Sequence, residues 1–240
     1  MIAHDPGFVI LSTTIAILGA FTASVMTSNI AAHAKAEGRL RITMAAVALG
    51  GSIWAMQFVG LLAIDSPVNL AYNPLLLAVS ALTAFCGTAI ALLMLLPRRG
   101  GTDARLPLAV AVLGAAIAVT NYSGIVAVSG LGLQLSWFLS VISLAVSMQV
   151  ALMVLWFLFR RRGVVLTLAG AIALGLSLTA THYLAIASTV GLGHTLLAIP
   201  RDTSGVSERH LAWAATVMMY LLCSICLSIF VIMQFREEME

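Results

Sequence analysis

The chain has 240 residues, of which 61% are hydrophobic and only 9% charged, with a mean hydropathy of +1.08 and a formal charge of +3. A soluble domain carries roughly 25% charged residues, so a water-soluble enzyme or binding domain is excluded and a bundle embedded in a lipid bilayer is expected. The basic residues sit in short clusters between apolar stretches, where they read as topology signals, so no nucleic-acid partner is expected.

In chain order, seven apolar windows are each long enough to cross roughly 30 Å of hydrocarbon. They are Phe8 to Ile30, Ile42 to Ala63, Asn73 to Leu96, Leu106 to Val128, Gln134 to Phe159, Val164 to Ile186 and His210 to Phe235. The predicted fold is therefore an all-α, seven-transmembrane-helix bundle forming one membrane domain over residues 1–240. The segment before the first window has no Lys or Arg, so that window reads as a retained helix and not a secretory signal. The first, third and fifth connections hold Lys35, Arg39 and Arg41, then Arg98, Arg99 and Arg105, then Arg160, Arg161 and Arg162, and the tail adds Arg236. The other side has only Arg201 and Arg209. The positive-inside rule then places the amino terminus outside and the carboxyl terminus in the cytoplasm. The connection from Ala187 to Arg209 would be an external, irregular cap over the bundle mouth.

A repeat runs through the second, fourth and sixth windows. Gly50 leads to Gln57-Phe58-Val59-Gly60, Gly114 to Asn121-Tyr122-Ser123-Gly124, and Gly175 to His182-Tyr183-Leu184-Ala185. In each, a small residue lies seven before a polar one, an aromatic residue follows, and a second small residue comes three after. The period of about 62 residues implies two helices per unit, over about 8–63, 73–128 and 134–186, with the last helix (about 210–235) left over. Offsets of minus seven and plus three return to nearly the same helical face, so small and polar residues are expected to share one stripe. Polar side chains in lipid turn inward, so Gln57, Asn121 and His182 should face one another near the outer helix ends. His182 would lie about 6 Å below its end.

At these residues the chain resembles the MHYT domain, a bacterial seven-helix membrane sensor module named for a Met-His-Tyr-Thr motif on its second, fourth and sixth helices. Ser52-Ile53-Trp54-Ala55-Met56-Gln57-Phe58-Val59-Gly60-Leu61-Leu62-Ala63 is similar to the first motif with its histidine replaced. Thr120-Asn121-Tyr122-Ser123-Gly124 resembles the second and Thr181-His182-Tyr183 the third, while Gly19-Ala20-Phe21-Thr22-Ala23 is similar to the family's usual start. The resemblance implies a bacterial inner-membrane sensor that holds copper through methionine and histidine and senses oxygen, carbon monoxide or nitric oxide. It further implies signalling to a cyclic-di-GMP enzyme or a kinase. Of the motif histidines only His182 is present, and of the motif methionines only Met56; Leu61, Ile125 and Ile186 stand where a further methionine is common.

The candidate ligand-binding set is thus Gln57, Asn121, Tyr122, His182 and Tyr183. A remodelled metal set would combine His182 and Met56 with the external histidines His4, His194 and His210. Cys223 and Cys226 share a face of the last helix but sit among Leu and Ile, where cysteine behaves as a small hydrophobe; Cys86 is likewise in an apolar stretch. Trp54, Trp137, Trp156 and Trp213 read as interfacial belts and Arg160-Arg161-Arg162 as a topology anchor. Acidic residues are expected only in loops and termini, and no nucleophile elbow or phosphate loop occurs, so no enzyme is expected. Five residues follow the last window, so the output is expected to lie on cytoplasmic loops or a separate protein. The rivals are a transporter, which internal repeats also suit, and a scaffold that has lost its ligand, in which the three polar residues would pack tightly with no cavity.

Overall fold

The structure is a computed structural model describing residues 5–28, 30, 35–63, 71–96, 105–129, 136–159, 163–189 and 208–239. Among the described residues seven helices carry the chain: α1 (Pro6–Thr27), α2 (Lys35–Leu61), α3 (Pro74–Met94), α4 (Leu106–Val126), α5 (Trp137–Leu158), α6 (Val164–Thr189) and α7 (Glu208–Met239). All seven are long and apolar enough to cross a membrane, and the chain is a multi-pass membrane protein. A two-residue antiparallel pair, β1 (Ala71–Tyr72) with β2 (Val128–Ser129), ties the start of α3 to the end of α4.

Helices α1 to α6 form a closed ring in which each packs on the next and α6 returns to α1, while α2, α4 and α6 also meet in the middle. Helix α7 stands outside the ring against α1 and α2. The apolar window of α2 is consequently 83% buried against 22% for α7, so α2 is the interior helix on which the others assemble.

Local chemistry explains the helix starts. Asp5 and Asn73 accept from backbone N–H groups in the first turns of α1 and α3, and Pro6 and Pro74 follow at the position where a missing N–H costs nothing. The backbone N–H of Asp5 donates to Ala63 (2.8 Å), that of Asn73 to Ala127 (2.8 Å) and that of Ser136 to Ser188 (2.9 Å). In all three cases the start of an odd-numbered helix is tied to the end of the even-numbered helix that follows it.

The glycines seven residues before the polar positions do not share the stripe expected of them. A Cβ at Gly50 would lie 2.8 Å from the carbonyl of Ala84 in α3, one at Gly114 3.0 Å from Met148 Cα in α5, and one at Gly175 2.7 Å from the backbone N of Ile17 in α1. Each therefore lets its helix close on the odd-numbered neighbour. Offsets of minus seven and plus three leave residual rotations of about +20° and −60°, of opposite sign, which fan the three positions onto different neighbours.

Helix α2 starts seven residues before the expected Ile42, taking Glu37, Arg39 and Arg41 into the helix. Arg41 is fully buried: its guanidinium bonds Glu37 through Nε (2.9 Å) and Nη2 (2.8 Å) and lies 5.0 Å over the ring of Phe230 in α7. A hydropathy window scores these residues as loop because it cannot see the pairing. The expectation that acidic residues avoid helices also fails at Glu37, and at Glu208 in α7. At the other end α6 runs past Ile186 to Thr189; the remainder of the predicted cap, 190–207, lies outside the described residues.

Replacing Gly175 by Val should force α6 off α1 and lower stability by about 1–3 kcal/mol, as overpacking does. Gly163→Ala, where a new Cβ meets nothing within 4 Å, should be near neutral. Thermal unfolding of both variants in detergent checks this, and equal midpoints would contradict the close α1–α6 contact.

Candidate functional site

Gln57, Asn121 and His182 occupy corresponding positions near the C-terminal ends of α2, α4 and α6, and all three are buried, at 2%, 1% and 0% exposure. Each reaches to the next helix in one rotary order. The Gln57 amide lies against Gly124 of α4, where a Cβ would collide with Nε2. Asn121 Oδ1 is 3.3 Å from His182 Nδ1 on α6. The His182 ring lies against Gly60 of α2, where a Cβ would be 2.7 Å from both Nε2 and Cδ2. Gly60 and Gly124 are thus required by the side chains they receive. The small residue three after the polar position serves the neighbouring helix, not its own.

An amide oxygen can only accept, so Asn121 holds the ring proton on Nδ1 and leaves Nε2 of His182 with a lone pair. Among the described residues that atom has no partner, nor has Gln57 Oε1 or Asn121 Nδ2. One buried acceptor, one donor and one imidazole lone pair are therefore unsatisfied within a single layer. Leaving such groups unmet costs about 1–3 kcal/mol each.

One turn further along the same helices, Leu61, Ile125 and Ile186 are buried and cluster with Ala185 under Tyr122 and Tyr183. An aliphatic lid therefore closes the polar layer towards the helix ends. The tyrosines turn outward from it. Tyr122 Oη is 3.0 Å from Ser188 Oγ on α6 and is flanked by Ser140 and Ser143 of α5. Tyr183 meets the His182 ring edge-on at 5.4 Å and lies beside Ser12 of α1. Ser12, Ser80 and Ser143 are buried serines near the starts of α1, α3 and α5. Ser80 donates to the Thr120 carbonyl on α4 (3.3 Å), and the aromatic position of α2 is Phe58, which has no hydroxyl. These serines were missed because in an apolar helix a serine reads as a tolerated small residue; their common register across three helices was the available signal.

Among the expected metal donors, Met56 is buried in the main core, one residue before Gln57. His4 and His194 lie outside the described residues, and His210 is in α7 with its side chain outside them. Among the described residues no three His, Cys, Asp or Glu side chains gather where a metal could bind. Cys223 and Cys226 are buried free thiols and belong to the main core.

The comparisons bear on this layer directly. The family described as MHYT, bacterial signalling protein N terminal repeat, matches residues 50–109, which open on the glycine of the first motif and include Gln57 and Gly60. The chain carries an MHYT repeat. It is 30% identical over 195 residues to the bifunctional diguanylate cyclase/cyclic di-GMP phosphodiesterase MucR of Pseudomonas aeruginosa, covering 78% of this chain and 28% of that protein. It is also 30% identical over 131 residues to the cyclic di-GMP phosphodiesterase NbdA of the same organism, covering 55% of this chain and 16% of that one. The chain thus spans less than a third of the length of either relative. No solved structure matches.

Gly124→Ala should destabilise the bundle by about 1–3 kcal/mol by displacing the Gln57 amide. Combining it with Gln57→Ala should recover most of that loss, since residues in contact couple in a double-mutant cycle. Additive effects on the unfolding midpoint would mean that Gln57 does not lie on Gly124.

Proposed function

We propose that this chain is an MHYT-type membrane sensory module whose input site is the layer of Gln57, Asn121 and His182, facing the outer side of a bacterial inner membrane. The observation that carries the reading is the set of three unsatisfied buried atoms on converging helices, one of them an imidazole lone pair oriented by Asn121. The three ties between odd and even helices, and the three glycine contacts, support a single domain of three two-helix repeats with α7 added. The distribution of basic residues supports an outside amino terminus. Output would pass to a cyclic di-GMP cyclase or phosphodiesterase unit on the cytoplasmic side, since both relatives are named as phosphodiesterases and MucR also as a cyclase. The bundle itself senses and has no catalytic role.

Magnitudes narrow the ligand. Two atoms of a diatomic gas held by amide and imidazole alone gain at most about 3 kcal/mol, a millimolar affinity, so the gas reading stands or falls with copper. The described donors do not fit copper. His182 is the sole imidazole among them, its neighbours are hard amides, and the lid offers Leu and Ile where soft sulfur would be needed. The reading that fits is a small, neutral ligand with both a donor and an acceptor, able to pass an aliphatic lid.

The scaffold reading has one observation in its favour, the close fit of Gln57 and His182 onto glycines. Elemental and spectroscopic analysis of protein purified in mild detergent addresses copper. The expected result is well under one copper per chain, unchanged by His182→Ala. Stoichiometric copper that His182→Ala removes would overturn the neutral-ligand reading and restore gas sensing. For the scaffold, native mass spectrometry of wild type should show a small bound molecule that Gln57→Leu with Asn121→Leu eliminates, and its absence from wild type would favour a scaffold.

A further inference from the structure

Helix α5 presents to the membrane a polar group that none of the described residues of one copy satisfies. Gln149 is exposed, and among the described residues its amide has no hydrogen bond. It is the one exposed amide away from the ends of an apolar span among those residues. The nearer end of the helix is Leu158, nine residues on, or about 14 Å at 1.5 Å per residue, so the amide cannot reach the interface as a long lysine or arginine would. Exposed hydroxyls elsewhere meet the same problem within their own helix: Thr83 and Thr167 donate to carbonyls four residues back at 2.8 and 3.2 Å. A carboxamide with two N–H donors and an acceptor cannot be satisfied that way, and an unpaired amide in hydrocarbon is costly.

The surroundings of Gln149 have the pattern of a helix seam. Phe138, Ile142, Ala145, Gln149, Leu152 and Trp156 alternate four- and three-residue steps without a break, the 3.5-residue period of two left-handed helices in contact. All six are exposed or half-buried in the single chain. Ala145, one turn before Gln149, leaves room for a second backbone to approach, as small residues do in membrane interfaces. The other face of α5 is already committed to the bundle through Ser143, Ser147, Val150 and Val154.

We propose that two copies of this chain associate in the bilayer along the exposed face of α5, with the Gln149 amides hydrogen-bonded to each other. The occupant is a second copy because a primary amide is self-complementary: across a two-fold axis each donor meets the other's acceptor. A single polar residue in an otherwise apolar seam also fixes the register of the pair. The association is separate from the input-site reading, since its loss leaves the His182 layer untouched.

The test uses the full chain, labelled at its amino terminus with donor or acceptor dye and reconstituted into phosphatidylcholine–phosphatidylglycerol vesicles over a range of dilutions. Wild-type protein should show energy transfer that persists on dilution. Gln149→Leu should raise the density needed for half-association by about three- to twentyfold, the value of one or two interhelical hydrogen bonds, and Gln149→Asn should stay near wild type. In a chain with Cys86→Ala, Leu152→Cys should be joined between copies by a bis-maleimide, whereas Leu82→Cys, 62% exposed on α3, should not. A wild-type monomer at every density, an unchanged midpoint for Gln149→Leu, or equal cross-linking at both positions would overturn the proposal.

Discussion

Inside a bilayer a polar side chain has no water to fall back on, and this constraint decides where the Gln57 and Asn121 amides, the His182 imidazole and the Arg41 guanidinium go. The bonds themselves are modest: interhelical hydrogen bonds in membranes average about 0.6 kcal/mol, while a buried group left unmet costs about 1–3 kcal/mol. The arrangement of α2, α4 and α6 is therefore governed by avoiding unmet groups more than by the strength of any bond formed. Gln57, Asn121 and His182 each turn inward onto the next helix, and glycines at positions 60 and 124 give two of them space. The backbone approach that lets these helices meet follows from the side chains they accommodate.

Much of this was legible before any coordinates. Mean hydropathy and window length place all seven helices, because a bilayer demands long apolar runs and tolerates nothing else. The spacing of Gln57, Asn121 and His182 places them in one layer, because the same helical offset applied at three equivalent depths must bring them level. What was not legible depends on pairing between distant residues. Arg41 reads as a cytoplasmic anchor until Glu37 and Phe230 are seen around it. Leu61, Ile125 and Ile186 read as lost methionines until they are found packed together as a lid. The rotary order of the polar layer was also hidden, since a sequence shows which face a residue occupies but not which neighbour shares it.

Helix α2 joins two regions that the sequence treats separately. It carries Gln57 and Gly60 in the polar layer, and, 16 residues earlier, Arg41 at its opposite end, about 24 Å away along a continuous helix. There the guanidinium, stripped of water, is shared between a carboxylate on the same helix and an aromatic ring on α7. A desolvated cation–π contact is worth about 2 kcal/mol, so α7 is held to α2 more firmly than apolar packing alone would hold it. A displacement of α2 that begins at the polar layer must either carry α7 with it or break this contact. Tyr220 makes a weaker link from α7 to Thr14 of α1, at 3.4 Å, so the outer helix is fastened to the ring at two depths.

The treatment of the three aromatic positions shows why the unsatisfied atoms in the centre carry weight. Tyr122 and Tyr183 have serines on the adjoining odd helix, Ser143 and Ser12. Where the corresponding residue is Phe58, the hydroxyl of Ser80 has no phenol to meet, and it is redirected to the carbonyl of Thr120. At the periphery, then, the hydroxyl of Ser80 finds a carbonyl, while Ser140 and Ser143 beside Tyr122 make no hydrogen bond among the described residues. One layer inward, among the described residues, the same helices leave Nε2 of His182, Oε1 of Gln57 and Nδ2 of Asn121 without partners. Three polar atoms open within one layer of converging helices, at a cost of about 1–3 kcal/mol each, are what the proposed input site rests on.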